Sequence, residues 1–443
     1  MNNNSTNYLI LGAGLTGMSA ASILKEEAIV LEKTERPGGL VKSINLDGYW
    51  FDHVIHLLHF RDPRTESIIK KLLGDTLAPL YPEAWVETTE GTGRYPLQMN
   101  LYGLSQEAIT STIKDLAATS FNIEHETPTS FEDMLLKTFG KYFCELFMFP
   151  YNRKVWKRPL NELAPSGFQW NIDNPDFELV VKGAITDNAK FETYNANGWY
   201  PRPDKNAKLR GMEVLSDVLS KQVEDLRLNS NVKRINLKNK EVTVDNNGQE
   251  ITYSFTKGCL STIPLPILLA KCEDLDPRFK NLTSTLKYNR VVSAMICIEG
   301  PHPKNRGHWR YYGQEDICFT RLVYMRNFDK HTSPENGWGL LVEMLEPSEW
   351  DLKDDNQYLS QIQNDIIKVN ALPEDCKIIN SAVEIIDPAY VVFTNESKKW
   401  VAELEEYFLS HGIKLLGRYG RWEYSSMAQV MNDGFTWAEE QIK

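Results

Sequence analysis

Tyr8-Leu9-Ile10-Leu11-Gly12-Ala13-Gly14-Leu15-Thr16-Gly17-Met18-Ser19-Ala20-Ala21-Ser22-Ile23-Leu24 is the stretch on which the fold turns. Its first four residues are a short apolar run suited to a buried parallel strand. Its last seven carry apolar residues at helical spacing. Between them stands Gly-x-Gly-x-x-Gly, at Gly12, Gly14 and Gly17. Strand, glycine turn and helix in that order make the dinucleotide fingerprint. The first glycine permits the tight turn, the second lets a pyrophosphate approach the backbone, and the third lets helix and strand pack closely. The helix N-terminus then presents free N–H groups to the phosphates. A second apolar run, Ala28-Ile29-Val30-Leu31, ends in Glu32, twenty residues after Gly12. An acid there accepts ribose hydroxyls. A glycine-rich turn with a surface glutamate would not require both strands in register. The chain therefore reads as α/β with a Rossmann-type nucleotide-binding domain.

The residues that follow narrow the nucleotide. Glu32-Lys33-Thr34-Glu35-Arg36-Pro37-Gly38-Gly39-Leu40 resembles the acid-to-Gly-Gly segment of FAD-dependent, amine-oxidase-type flavoproteins. The resemblance implies FAD, with the backbone of Gly38, Gly39 and Leu40 against its pyrophosphate and ribose. Further on, alternating runs at 226–235, 240–244 and 251–253, with Asn246-Asn247-Gly248 between the last two, read as a hairpin. The segment closes on Ser261-Thr262-Ile263-Pro264. It is similar to the flavoprotein pattern in which a valine backbone, here Val232, caps the adenine.

Four stretches carry a narrower resemblance. Phe149-Pro150-Tyr151-Asn152-Arg153-Lys154-Val155-Trp156 looks like the Pro-Tyr-Asn-x-Lys-Val-Trp motif of UDP-galactopyranose mutases. Arg94-Tyr95-Pro96-Leu97-Gln98-Met99-Asn100 resembles another segment of that family. Gly417-Arg418-Tyr419-Gly420-Arg421-Trp422-Glu423-Tyr424-Ser425-Ser426-Met427 is similar to its C-terminal pattern, and Phe319-Thr320-Arg321 stands where the family has Phe-x-Arg. A final helix from about Met427 to Ile442 is expected to bring its N-terminus, with Ser425 and Met427, to the FAD.

The resemblance implies a substrate and a chemistry. The substrate is a nucleotide sugar, whose doubly charged diphosphate calls for arginine forks. Arg321 is the candidate for that diphosphate and Arg418 for the FAD side. Tyr151, Asn152 and Trp156 are candidates for the base, by stacking and amide pairing, and Tyr390 and Tyr424 for the diphosphate or sugar. Each of these rings has core packing as its plainer reading. His56 is the candidate beside the flavin. The implied reaction interconverts pyranose and furanose forms through a covalent bond between reduced FAD and the sugar, without net redox change, in polysaccharide precursor synthesis. Two other readings stay open: an FAD-dependent oxidoreductase of the amine oxidase or protoporphyrinogen oxidase type, and a non-catalytic FAD-binding protein.

The chain departs from the mutase pattern at definite places. Asp-x-Gly-Gly-His becomes Asp52-His53-Val54-Ile55-His56, so the backbone there should avoid the positive φ that glycine adopts cheaply. Ser426 replaces an acid. An arginine expected beyond Trp156 is replaced by Gly167-Phe168-Gln169-Trp170. Trp199-Tyr200-Pro201-Arg202-Pro203 looks more like protoporphyrinogen-oxidase-like proteins. His53, His56 and His59 lack a matching fourth ligand, so no metal is expected. His302, His308, His331 and His411 are expected to be exposed.

The totals agree with this reading. Of 443 residues, 42% are hydrophobic and 25% charged, enough apolar material for a sizeable core. A net charge of −11 argues against nucleic acid or anionic lipid as general partners. The six cysteines form no CxxC pair and read as reduced core thiols. The N-terminus lacks a signal-peptide pattern and no apolar run is long enough to span a membrane, so a cytoplasmic protein is expected. Self-association is left open. The domain expectation is a discontinuous FAD-binding domain (1–75, 205–270, 405–443), a mostly helical substrate or lid segment (76–204), and an inserted, largely antiparallel substrate sheet (271–404).

Overall fold

The computed structural model describes residues 4–120, 127–166, 174–187 and 197–443. The replacement noted at Gly167–Trp170 lies outside them. The strand Ser5–Leu11 runs parallel to Ala28–Leu31 on one side and to Gln249–Ser261 on the other. Leu226–Arg227 extends the parallel sheet beyond Ala28–Leu31, and Ile413–Leu415 pairs parallel to Gln249–Ser261. Ser230–Asn236 pairs antiparallel with Glu241–Asn246, which in turn pairs antiparallel with Gln249–Ser261 through the hairpin expected around Asn247-Gly248. The parallel core is apolar because helices cover it: Leu9, Ile10 and Leu11 are fully buried.

The turn after the first strand works as its glycines require. Gly12 has φ +105°, which only glycine takes without strain. A Cβ on Gly17 would stand 2.1 Å from the Gly12 carbonyl oxygen, so the helix Leu15–Leu24 lies directly on the strand end. The last helix, Met427–Ile442, packs beside it. Ser426 caps that helix by accepting the Gln429 N–H at 3.2 Å. Serine and aspartate are equivalent in that role, so the loss of the family's acid leaves the helix start intact.

A second seven-stranded sheet runs in the order Lys377–Val391, Tyr288–Glu299, Gly337–Pro347, Arg321–Tyr324, Trp309–Tyr312, Ala84–Thr88, Gly91–Arg94. Its pairings are antiparallel except that of Trp309–Tyr312 with Ala84–Thr88. Two of its strands thus come from within 76–204, which sequence reads as mostly helical; Leu77–Leu80 and Gly198–Pro201 from the same segment pair with each other. The helices of that segment include Gln106–Ser120, Phe131–Phe139 and Phe149–Trp156. The last of these runs straight on from a π-helical turn, Cys144–Met148, that precedes Pro150, and left-handed Lys157 (φ 51°) ends it.

Asp52, at the end of the short strand Tyr49–Asp52, ties its own segment to Tyr200 and Met212, distant in the chain. Fully buried, it accepts the Met212 N–H at 2.8 Å, the Tyr200 hydroxyl at 2.8 Å and the Ser43 hydroxyl at 3.0 Å. The four exposed histidines expected from sequence are instead all half-buried. His302 packs edge-on to Trp338, and His308 to Phe328, and burial holds both rings down to about 4. Their polar neighbours in sequence said nothing about these partners from distant strands.

Burial also raises Asp52 from 3.8 to about 6, against its three hydrogen bonds. Between those values the native protein holds a proton that the unfolded chain has lost, so this group's contribution to stability falls as pH rises from about 4 to about 6. Asp52→Asn carries no charge and should lack that slope. Urea midpoints of both proteins at pH 4, 5, 6 and 7 check it: their difference changes below pH 6 and is constant above.

Candidate functional site

One cavity of about 1190 Å³ runs from the glycine turn to the second sheet. Pockets for a single small ligand are commonly ~300–1,000 Å³, so this one has room for a dinucleotide and a second molecule. Gly12, Gly14, Glu32, Gly38, Gly39, Leu40, Val232, His56, Tyr151, Asn152, Trp156, Arg321, Tyr390, Arg418, Tyr424, Ser425 and Met427 all line it. Gly17 does not; it serves the helix–strand contact.

At the nucleotide end the side chains are pre-set. Glu32, 7% exposed, accepts the Ala13 N–H at 2.9 Å through one oxygen and the Thr34 N–H and hydroxyl through the other. Lys42 donates to Thr34 at 2.8 Å, and burial lowers its pKa. A Cβ built on Gly14 meets no protein atom within 4 Å and enters the cavity, where the first-turn N–H groups of Leu15–Leu24 also point. This is a cradle for a group pressed against backbone.

At the other end two arginines sit among aromatic rings. Arg321 lies 5.7 Å from the Tyr311 ring, which contacts Tyr95 and Tyr151. Its Nε donates to Glu343 at 2.8 Å and its Nη2 to the same carboxylate oxygen. Glu343 is 2% exposed and directly opposite on the neighbouring strand. Arg418, expected on the cofactor side, has around it two rings expected on the substrate side, Tyr424 at 4.6 Å and Tyr390 at 5.9 Å, together with Tyr419 at 6.0 Å. Among the described residues it has no carboxylate partner, and its Nε is buried without a hydrogen bond. Trp156 stands edge-on to both Tyr390 and Tyr424.

Hydrogen bonds sort the expected ligand groups. Asn152 receives the Trp156 indole N–H at 3.1 Å and donates to Met148 O at 2.7 Å, so its amide fixes Trp156 instead of presenting itself to a base. The Tyr424 hydroxyl donates its proton to Val391 O at 2.8 Å and leaves the ring face to Arg418. A diphosphate, which only accepts, gains nothing from that hydroxyl. Tyr151 and Tyr390 keep theirs uncommitted among the described residues.

His56 faces both guanidinium groups. Its Nδ1 lies 2.8 Å from Val54 O, which fixes the proton there and leaves Nε2 as an acceptor. Burial, then the Arg418 charge, brings its pKa down to about 3, with Arg321 and His53 adding to the effect. Val54 and Ile55 keep negative φ, as their side chains demand. His53 pairs with Glu384 at 3.5 Å, and His59 Nδ1 with Asn197 O at 2.8 Å, so the three histidines face different partners. No cluster able to hold a metal occurs among the described residues, and no described helix is long and apolar enough to cross a membrane.

Sequence reading missed Glu343, Tyr311, Lys42 and the His53–Glu384 pair. A lone acid in Leu340-Leu341-Val342-Glu343-Met344 was the available signal for the first, since a buried carboxylate needs a partner.

The sequence profile of flavin-containing amine oxidoreductases matches residues 15–395. The chain belongs to that family. Its fold is shared with reduced UDP-galactopyranose mutase at a TM-score of 0.89 and 20% identity, over 99% of this chain and 95% of that one. It is shared at 0.72 and 15% identity with an Exiguobacterium sp. protein assigned as a protoporphyrinogen oxidase, over 100% and 99%. Putrescine oxidase bound to putrescine follows at 0.63 and 14%, over 99% of both chains. A flavin is thus the expected occupant of the cradle, and the open space at Gly14, the helix N-terminus and Glu32 fit it.

Gly14 has φ −77°, which alanine tolerates. Gly14→Ala should therefore keep the melting temperature of the flavin-free wild type while its methyl group excludes the ligand. The expected result is loss of most flavin absorbance near 450 nm per mole of folded protein, checked by spectrum and circular dichroism.

Proposed function

We propose that the chain is an FAD-dependent mutase that interconverts the pyranose and furanose forms of a nucleotide sugar. Arg418 carries the reading: a recessed guanidinium without a carboxylate partner among the described residues, its Nε buried and unbonded there, calls for an anionic ligand. The mutase-like fold over nearly the whole of both chains supports it. In this reading residues 1–75, 205–270 and 405–443 form the FAD-binding domain. Glu32 takes the ribose hydroxyls, Gly38–Leu40 and the Leu15–Leu24 N-terminus the pyrophosphate, Val232 the adenine edge, and Ser425 and Met427 the flavin side.

Reduced FAD supplies the nucleophile for the sugar's anomeric carbon, with no net oxidation. The side chains do the rest. Arg418 and the free edge of Arg321 hold the diphosphate while it leaves and returns. Tyr151 and Trp156 flank the base, and Tyr390 offers a hydroxyl to the diphosphate or sugar. His56, neutral at physiological pH and with only Nε2 open, accepts a hydrogen bond from a sugar hydroxyl.

The family match favours a second reading, oxidation of an amine. An ammonium substrate would lie against Arg418, and the buried carboxylate that could neutralise it is already held by Arg321. The two readings separate in one assay. Dithionite-reduced protein should convert UDP-galactopyranose to a furanose product resolved by chromatography, and oxidised protein should not. No conversion, with anaerobic bleaching of the flavin by an amine, would favour the oxidase; silence in both leaves a binding protein. Arg418→Ala should weaken UDP binding by about ten- to a hundredfold, the worth of a charged hydrogen bond, as read by calorimetry.

A further inference from the structure

From the shared carboxylate between Arg321 and the Ile55 backbone we infer that Glu343 is a positioning residue, holding Arg321 and the loop before His56 in one arrangement; the inference rests on the nucleotide-sugar reading of this cavity. One Glu343 oxygen takes Nε and Nη2 of Arg321, and the other accepts the Ile55 N–H at 3.3 Å. Used side-on in this way, the guanidinium turns its remaining edge to the cavity, and its Nη1 has no partner among the described residues.

The strand neighbours complete the clamp. Ser293 is paired with Glu343 across the sheet, and its hydroxyl donates to His53 O at 2.9 Å. The loop His53–Ile55 is therefore pinned at both ends by one row of the sheet. His56 follows directly and turns Nδ1 back to Val54 O. With valine and isoleucine in place of flexible glycines, the loop has a single supported path, and Glu343 sets its distance from Arg321. Moving one anchor moves both groups that face the diphosphate and sugar.

Glu343 acts through Arg321, which fixes the test. UDP binding to the oxidised, FAD-loaded protein is measured by calorimetry for wild type, Glu343→Gln, Glu343→Ala, Arg321→Ala and the double alanine variant. Glu343→Ala should weaken binding about tenfold. The double variant should bind no worse than Arg321→Ala alone, since coupled residues are not additive. Glu343→Gln keeps an acceptor for Arg321 and should stay within about threefold of wild type. Additive losses, or wild-type affinity in Glu343→Ala, would overturn the inference. Crystal structures of both Glu343 variants supply a readout that needs no ligand. Arg321 should leave its place in the alanine variant and keep it in the glutamine variant; an unmoved Arg321 in Glu343→Ala overturns the proposal. Should the alanine protein not fold, displacement of Arg321 or additive loss with Arg321→Ala in the glutamine variant overturns it instead. Wild-type protein that does not bind UDP would refute the nucleotide-sugar reading, while the crystal structures would still decide the role of Glu343.

Discussion

The contact between the first helix and the first strand governs the rest of the molecule. With hydrogen atoms alone at Gly17, the helix lies against the Gly12 carbonyl, where a Cβ would come within 2.1 Å. That approach aims the unpaired N–H groups of the first turn at the cavity. It also sets where Met427–Ile442 packs beside the same helix, and so where Ser425, Tyr424 and Arg418 enter from the far end of the chain. A site assembled from residues 12 to 430 is registered on one backbone contact.

Charge gives that cavity its chemical character. Burying an ion is costly unless a partner meets it. Arg321 meets Glu343, and Lys42 meets the Glu32–Thr34 network. Arg418 is left with ring faces, whose quadrupoles only partly replace a counter-ion. The neutral state of His56 follows first from its burial and then from the neighbouring Arg418 and Arg321 charges. The Arg418 end of the cavity thus keeps a positive charge unmatched among the described residues, within a protein of net charge −11. Such a site favours an anion over an amine.

How much of this was legible depended on range. Gly12 to Glu32 is local, and strand, turn, helix and acid could be read in twenty residues. The Met427–Ile442 helix and the Asn247-Gly248 hairpin were legible for the same reason. Arg321 and Arg418 came from motif resemblance, which placed them at the cavity but not their surroundings. The Glu343 partner of Arg321 depends on strand register between 321 and 343, and the rings around Arg418 come from its own segment, at Tyr419 and Tyr424, and from Tyr390. Asn152 was misjudged because its competitor for the amide, Trp156, lies one helical turn away and needs no ligand. The strands at 84–94 escaped because such short strands carry little periodic signal.

The proposed function makes the Arg418 guanidinium the seat of a nucleoside diphosphate. A crystal structure of the FAD-loaded protein soaked with UDP is the decisive test. Phosphate oxygens should lie about 3 Å from the Arg418 guanidinium, hydrogen-bonding distance, with the uracil beside Tyr151 and Trp156. UDP bound elsewhere, or a cavity that stays free of it at saturating concentration, would contradict it.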